Sequence, residues 1–207
     1  REFACGGAGR RGVFGKSSGG YGAIVHAMLR PDYWAAAACH SGDMGFETVY
    51  LPGLVRTLPV LAKAGGIRAW LEDLFARPKI RDEDTQHLEM LGMCASYDPD
   101  PEAFMGIRLP IDPETAELIP ERWANFANWD PINMIESRGA GLRQLKALYI
   151  DCGEVDQFHL VYGARRLVRS LERLQVAHRY EEFPDDHSSI DYRMDVSLPF
   201  LAKALSA

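Results

Sequence analysis

The chain predicts an α/β fold built on a parallel sheet, and three observations carry that expectation. Short apolar runs of strand length, each followed by a helical pattern, recur at both ends of the sequence. A glycine-flanked serine, Gly15-Lys16-Ser17-Ser18-Gly19, sits between the apolar pair Val13-Phe14 and a helix-like run from Tyr21 to Leu29. The alternation then breaks from about Phe46 to Asn128, as an inserted segment would make it break. Strands that alternate with helices are most economically joined as parallel neighbours by right-handed crossovers.

In order, Val13-Phe14 reads as the end of a short buried strand, and Gly20 to Leu29 as a helix stopped by Arg30-Pro31. Trp34 to Cys39 is a second buried strand, ending in the loop His40-Ser41-Gly42-Asp43. Lys146 to Cys152 is a third strand. Phe158 to Leu174 is a helix, with Leu160, Ala164, Leu167, Val168, Leu171 and Leu174 recurring at three- and four-residue steps. Ala177 to Phe183 is a fourth strand, and Tyr192 to Leu205 a helix with a kink or restart at Pro199. In the middle, Ile67, Trp70, Leu71, Leu74 and Phe75 make an amphipathic stripe, and Asp84 to Met93 a further helix. Asp98 to Pro120, rich in proline and acid, reads as loop, followed by an aromatic cluster of Trp123, Phe126 and Trp129. Residues 1–45 and 129–207 are therefore the expected core, and 46–128 a mainly helical insertion placed to act as a lid.

With 207 residues, 47% hydrophobic and 25% charged, the chain has the balance of a globular domain. A net charge of -6 argues against a nucleic-acid or acidic-membrane partner. No apolar run approaches the roughly 20 residues of a membrane span. Arg1 to Gly12 holds no signal-peptide pattern. Cys5, Cys39, Cys94 and Cys152 are scattered without metal spacing and read as free thiols in a reducing, cytoplasmic setting. Arg56, Arg68, Arg108 and Arg122 in the insertion read as solvated surface arginines, with an anionic substrate as the other use for them.

The glycine-flanked serine has the form of a nucleophile elbow, a sharp strand-to-helix turn that exposes a strained serine. Side chains at the flanking glycines are expected to collide with strand or helix. Lys16-Ser17 also suggests a phosphate loop, but that motif needs glycine at position 10, which is Arg10. A serine needs a base, and the base an orienting carboxylate. Asp156 lies in the loop after the third strand and His187 in the loop after the fourth, at the sheet edge where open α/β folds build their sites. His40 is the rival base, although it precedes the acid in sequence and better suits a substrate pocket with Ser41 and Asp43. Glu154 is second choice for the acid. Asp185, Asp186, Glu181 and Glu182 read as a solvated acidic edge, and His26, His87, His159 and His178 as structural. The backbone N–H of Ser18 is the expected oxyanion donor.

The run Val13 to Ala23 resembles the elbow of the esterase branch of the α/β-hydrolases, which includes esterase D (S-formylglutathione hydrolase) and enterochelin esterase-like proteins. His40-Ser41-Gly42-Asp43, the Asp156-Gln157-Phe158-His159 loop and Phe183 to Leu198 resemble it too. The resemblance implies ester hydrolysis of a small molecule through an acyl-enzyme on Ser17, Asp156 and His187, with no metal or organic cofactor. An acyltransferase on the same triad and a non-catalytic hydrolase-like scaffold are the alternatives. The family sheet has eight strands and its elbow follows the fifth, whereas this chain carries about four. The strand at Val13-Phe14 is then an edge, expected to be covered in a homo-oligomer or by a missing N-terminal segment. The second oxyanion donor would come from a loop upstream of Arg1.

Overall fold

Residues 6–206 are described by the computed structural model. In chain order the elements are β1 (Gly12–Lys16), α1 (Ser18–Leu29), β2 (Ala36–His40), α2 (Phe46–Val49), α3 (Leu51–Ala64), α4 (Ile67–Ala76), α5 (Asp82–Tyr97), α6 (Pro120–Ala127), α7 (Pro131–Arg138), β3 (Ala147–Gly153), α8 (Leu160–Arg173), β4 (Arg179–Phe183) and α9 (Met194–Ser206). Short 3-10 turns occupy Phe104–Gly106, Gly139–Gln144 and Ile190–Arg193. The chain divides into two compact units, Arg1–Gly45 with Asp130–Ala207, and Phe46–Trp129. The second change of unit thus follows Trp129, one residue beyond the expected boundary.

The first unit is a four-stranded sheet in the order β1-β2-β3-β4, parallel throughout. Its central strands are buried on both faces, so they read as apolar runs without polar alternation. Alternate residues nonetheless serve different layers. Ala37, Cys39, Leu148 and Ile150 pack against Ile24 and Met28 of α1, Ile135 of α7, and Leu167 and Leu171 of α8. Ala36, Ala38 and Tyr149 face the opposite way, toward Leu201 and Phe200 of α9. That parity matters below, because His40 and Asp151 continue the α9 side and are register partners at the strand ends. Helix α9 runs unbroken through Pro199, where a kink was expected. The missing N–H frees only the carbonyl of Asp195, an exposed residue that solvent can satisfy.

The second unit is helical. Helix α3 is absent from the sequence-based expectations because two prolines interrupt its pattern. Pro52 occupies the first turn, where no N–H is needed, and Pro59 is absorbed inside the helix while Leu54, Leu58 and Leu61 stay buried. Helix α4 buries Trp70, Leu71 and Leu74 but leaves Phe75 exposed, so the stripe is narrower than expected. Helix α5 extends past both ends of the expected Asp84–Met93, with three acids in its first turn where the helix dipole favours them. The aromatic cluster is built from Phe46, Tyr50, Tyr97, Phe126 and Trp123, with Trp123 stacked on Phe126 at 5.4 Å. Trp129 is exposed instead. No helix among the described residues is long and apolar enough to cross a membrane. Cys39, Cys94 and Cys152 are free and buried, and Cys5 lies outside the described residues.

Candidate active site

β1 passes into α1 through a single residue, Ser17. Ser17 takes φ 57° and ψ -127°, a conformation that costs a side-chain-bearing residue about 1–3 kcal/mol. It is pinned by Ser17 N–H donating to the His40 carbonyl at 2.9 Å and by Tyr21 N–H donating to the Ser17 carbonyl at 2.9 Å. A Cβ on Gly15 would stand 2.4 Å from the Gly19 backbone, so glycine is required there. The expected collision at Gly19 is not found: a Cβ there would meet nothing within 4 Å. The tightness is one-sided because Gly15 leans on the helix start, whereas Gly19 turns outward. Ser18 opens α1, and its backbone N–H is one of the first-turn donors with no intrahelical acceptor. Its side chain donates to Asp43 Oδ2 at 3.1 Å.

The loops after β3 and β4 are laced together. Glu154 N–H donates to the Phe183 carbonyl at 2.9 Å and Val155 N–H to the Asp185 carbonyl at 3.3 Å. A Cβ on Gly153 would lie 2.4 Å from the Asp185 carbonyl oxygen, so only glycine lets the two loops approach this closely. The lacing brings Asp156 Oδ2 to 2.8 Å from His187 Nδ1, with both residues buried. Asp156 Oδ1 accepts from Phe158 N–H at 2.9 Å, and His187 N–H donates to Gln157 Oε1 at 2.9 Å. Phe158 sets its ring perpendicular to the imidazole, 5.0 Å between centroids. With Nδ1 donating to the carboxylate, Nε2 is the nitrogen left to take a proton. Among the described residues neither Nε2 nor the Ser17 hydroxyl has a hydrogen-bond partner, so no hydrogen bond joins the two in this structure. Such bonds commonly tighten only with substrate in place. Cys152 lies under the acid, its sulfur 3.9 Å from Asp156 Oδ2. Burial pushes this thiol up to about 12, against a lowering contact with Ser41, so it stays protonated and is no rival nucleophile.

A second histidine–aspartate pair lies on the α9 side of the sheet. His40 Nδ1 is 2.7 Å from Asp151 Oδ1, and His40 Nε2 is 2.9 Å from Ser197 Oγ of α9. All three residues are at most 1% exposed. Asp151 Oδ2 also accepts from Arg193 Nε at 2.9 Å and from the Tyr149 hydroxyl at 3.1 Å. The expectation that His40 lines a substrate pocket therefore fails at its side chain, since neither ring nitrogen is open. Ser41 is likewise buried at 1%, and Asp43 at 5%, next to the elbow. The supposed solvated acidic edge is an ion-pair edge instead. Glu181 accepts from Tyr149 at 2.8 Å and pairs with Arg193, and Glu182 pairs with Arg165 and accepts from Tyr180. Asp151, Ser197 and Arg193 gave no sequence signal of a shared site. Only the register of β2 against β3, together with the parity of α9, puts them in one place.

The parallel sheet, the sharp turn after its first strand and the Asp156–His187 pair on the loops after its third and fourth are those of an α/β-hydrolase-type fold. The chain matches the family described as "Putative esterase" over residues 2–197, and it belongs to that family. Among solved structures, a ferulic acid esterase aligns at 16% identity with a TM-score of 0.52, covering 96% of this chain and 53% of that one. The S-formylglutathione hydrolase of Staphylococcus aureus aligns at 17% identity and a TM-score of 0.52, covering 99% and 58%. The chain thus spans little more than half the length of these structures. No curated protein matches it.

Proposed function

We propose that the chain hydrolyses small-molecule carboxylic esters through an acyl-enzyme on Ser17. The observation that carries this reading is the buried 2.8 Å contact of Asp156 with His187 Nδ1, which directs the free Nε2 lone pair outward as a base. In the proposed sequence His187 takes the Ser17 hydroxyl proton as Oγ attacks the ester carbonyl. The Ser18 N–H donates to the developing oxyanion. His187 returns the proton to the departing alcohol, and Asp156 stabilises the imidazolium in between. Water then repeats the cycle on the acyl-enzyme with His187 again as base. Family membership and the activities named for the two similar structures support this class of chemistry. The helical unit follows directly on the loop after β2, which supports a lid role for it.

Fluorophosphonate labelling tests the assignment. Wild type should be labelled on Ser17 and turn over p-nitrophenyl esters, and Ser17→Ala should lose both; label found on another residue would refute it. The same reading extends to assembly. The outer edge of β1 has no strand partner among the described residues and leaves Phe14 46% exposed, which supports pairing with a second copy in a homo-oligomer. A monomer with full activity in size-exclusion chromatography would overturn that part.

A further inference from the structure

The helical unit holds a cavity of about 370 Å³ that the proposed esterase chemistry does not use. Its walls are Leu58 and Leu61 of α3, Ile67 at the start of α4, and Leu109 and Ile111 of the segment after the 3-10 turn at Phe104–Gly106. Four of these side chains are at most 9% exposed, so the apolar lining is largely buried although the cavity itself opens to solvent. The volume lies in the range of small-molecule sites, which pair an apolar body with a few placed polar groups.

The polar groups here are Arg108 and Arg122, and no carboxylate lines the cavity. The two arginines are in different states. Arg108 is committed: its Nε donates to Asp98 Oδ2 at 2.6 Å, and its Nη2 pairs with Asp98 Oδ1. Asn125 donates to that same Oδ1 at 2.6 Å, and Asp98 is only 2% exposed, so its acceptor sites are occupied. Arg122, in the first turn of α6, donates Nη1 to the Leu109 carbonyl at 2.9 Å and, among the described residues, has no carboxylate within ion-pair distance. Asp112, next to Ile111, turns its carboxylate back onto the N–H groups of Glu114 and Thr115 at 2.8 Å each, so it does not neutralise Arg122. An apolar cavity is therefore bordered by a guanidinium that feels the Asp98 charge, already paired with Arg108, but is held by no direct ion pair of its own among the described residues.

We propose that this cavity binds an amphipathic monocarboxylate, with its hydrocarbon part against Leu58, Leu61 and Ile111 and its carboxylate on Arg122. One committed and one uncommitted cation favour a single negative charge over a phosphate or a dicarboxylate. The planar guanidinium fork offers a carboxylate parallel charge-assisted hydrogen bonds that an alcohol of the same length cannot match.

Isothermal titration of the whole chain with octanoate and with 1-octanol tests the proposal. Both should bind, the acid about tenfold or more tightly, which corresponds to about 1.4 kcal/mol or more. Arg122→Gln should bring octanoate down to the affinity of the alcohol and leave the alcohol unchanged. Leu61→Trp should fill the cavity and abolish both. Equal affinities in wild type, or octanoate that still binds more tightly than the alcohol in Arg122→Gln, would overturn the proposal. If Leu61→Trp does not fold, the acid-versus-alcohol difference in Arg122→Gln decides alone. Repeating the titration on phosphonate-treated protein separates this site from Ser17. Because the readout is binding and not turnover, failure of the esterase assignment would leave the result standing.

Discussion

Among the described residues, two histidine–aspartate pairs are of nearly equal length, and they differ in what lies beyond the imidazole. His187 is 2.8 Å from Asp156 and has an unpartnered Nε2. His40 is 2.7 Å from Asp151, and its Nε2 is capped by Ser197 Oγ at 2.9 Å. The second constellation is a complete Ser–His–Asp chain, yet it is sealed under α9 with every member at most 1% exposed. Residue types alone therefore do not make an available base. A general base needs an imidazole nitrogen with no protein partner, which His187 keeps, whereas the sealed pair spends that nitrogen on holding α9 to β2 and β3. The carboxylates differ in the same way. Asp156 accepts from a histidine and a loop N–H, whereas Asp151 also takes an arginine and a tyrosine hydroxyl, the load of a structural anchor.

The largest effect that would separate the pairs comes from removing each carboxylate's charge. Asp156→Asn keeps the shape but puts an amide where Nδ1–H needs an acceptor, so the imidazole is held in the wrong tautomer. A loss of about 10⁴ in kcat is expected, with a nearly unchanged thermal midpoint. Asp151→Asn should do the reverse. It leaves Arg193 short of one of its two anions and should cost about 3–5 kcal/mol in urea unfolding. Phosphonate labelling of the folded fraction should then stay within a few-fold of wild type. A collapse of labelling in Asp151→Asn with stability intact would erase the distinction.

The contact of Asp156 with His187 was legible in the sequence because each member follows a strand, and parallel strands deliver their loops to one edge. Ser17, Asp156 and His187 needed only that topology. The four strands and the three long helices of the sheet unit, α1, α8 and α9, were readable from their apolar runs and spacing. The sealed pair was not legible. His40 and Asp151 are 111 positions apart and meet only through strand register, and Ser197 joins them only through the face that α9 presents. His40 consequently looked like a pocket residue. Helix α3 was hidden by Pro59, whose cost in the helix is offset by burial of three leucines. The role of Gly19 was overread, because a glycine pattern does not say which glycine is crowded.

A smaller effect tests the seal itself. Ser197→Ala removes the hydroxyl that caps His40 Nε2 and leaves a buried nitrogen without a partner, at a cost of about 1–3 kcal/mol. The chemical denaturation midpoint should fall accordingly, while the rate of labelling at Ser17 stays the same. Slower labelling in this variant would mean that α9 transmits to the Asp156–His187 pair and that the two pairs are not independent.

The smallest effect concerns pH and the rim of the sealed network. Burial raises the Glu181 carboxyl, but hydrogen bonds from Tyr149, Arg179 and Arg193 outweigh it and hold the group below its usual value. A carboxylate depressed in the folded state contributes stability above the unfolded value of about 4.3, and loses it as pH falls through the folded value. Wild-type stability should therefore decline on acidification below about pH 4.3 partly through this residue. Glu181→Gln keeps an acceptor for Tyr149 but has no proton to gain, so its urea midpoint should be lower at pH 7 and fall less steeply toward pH 3. Parallel curves for the two proteins would show that the ion pairs around Arg193 add nothing that acid can remove, and that the seal rests on the His40–Asp151–Ser197 contacts and packing of α9 alone.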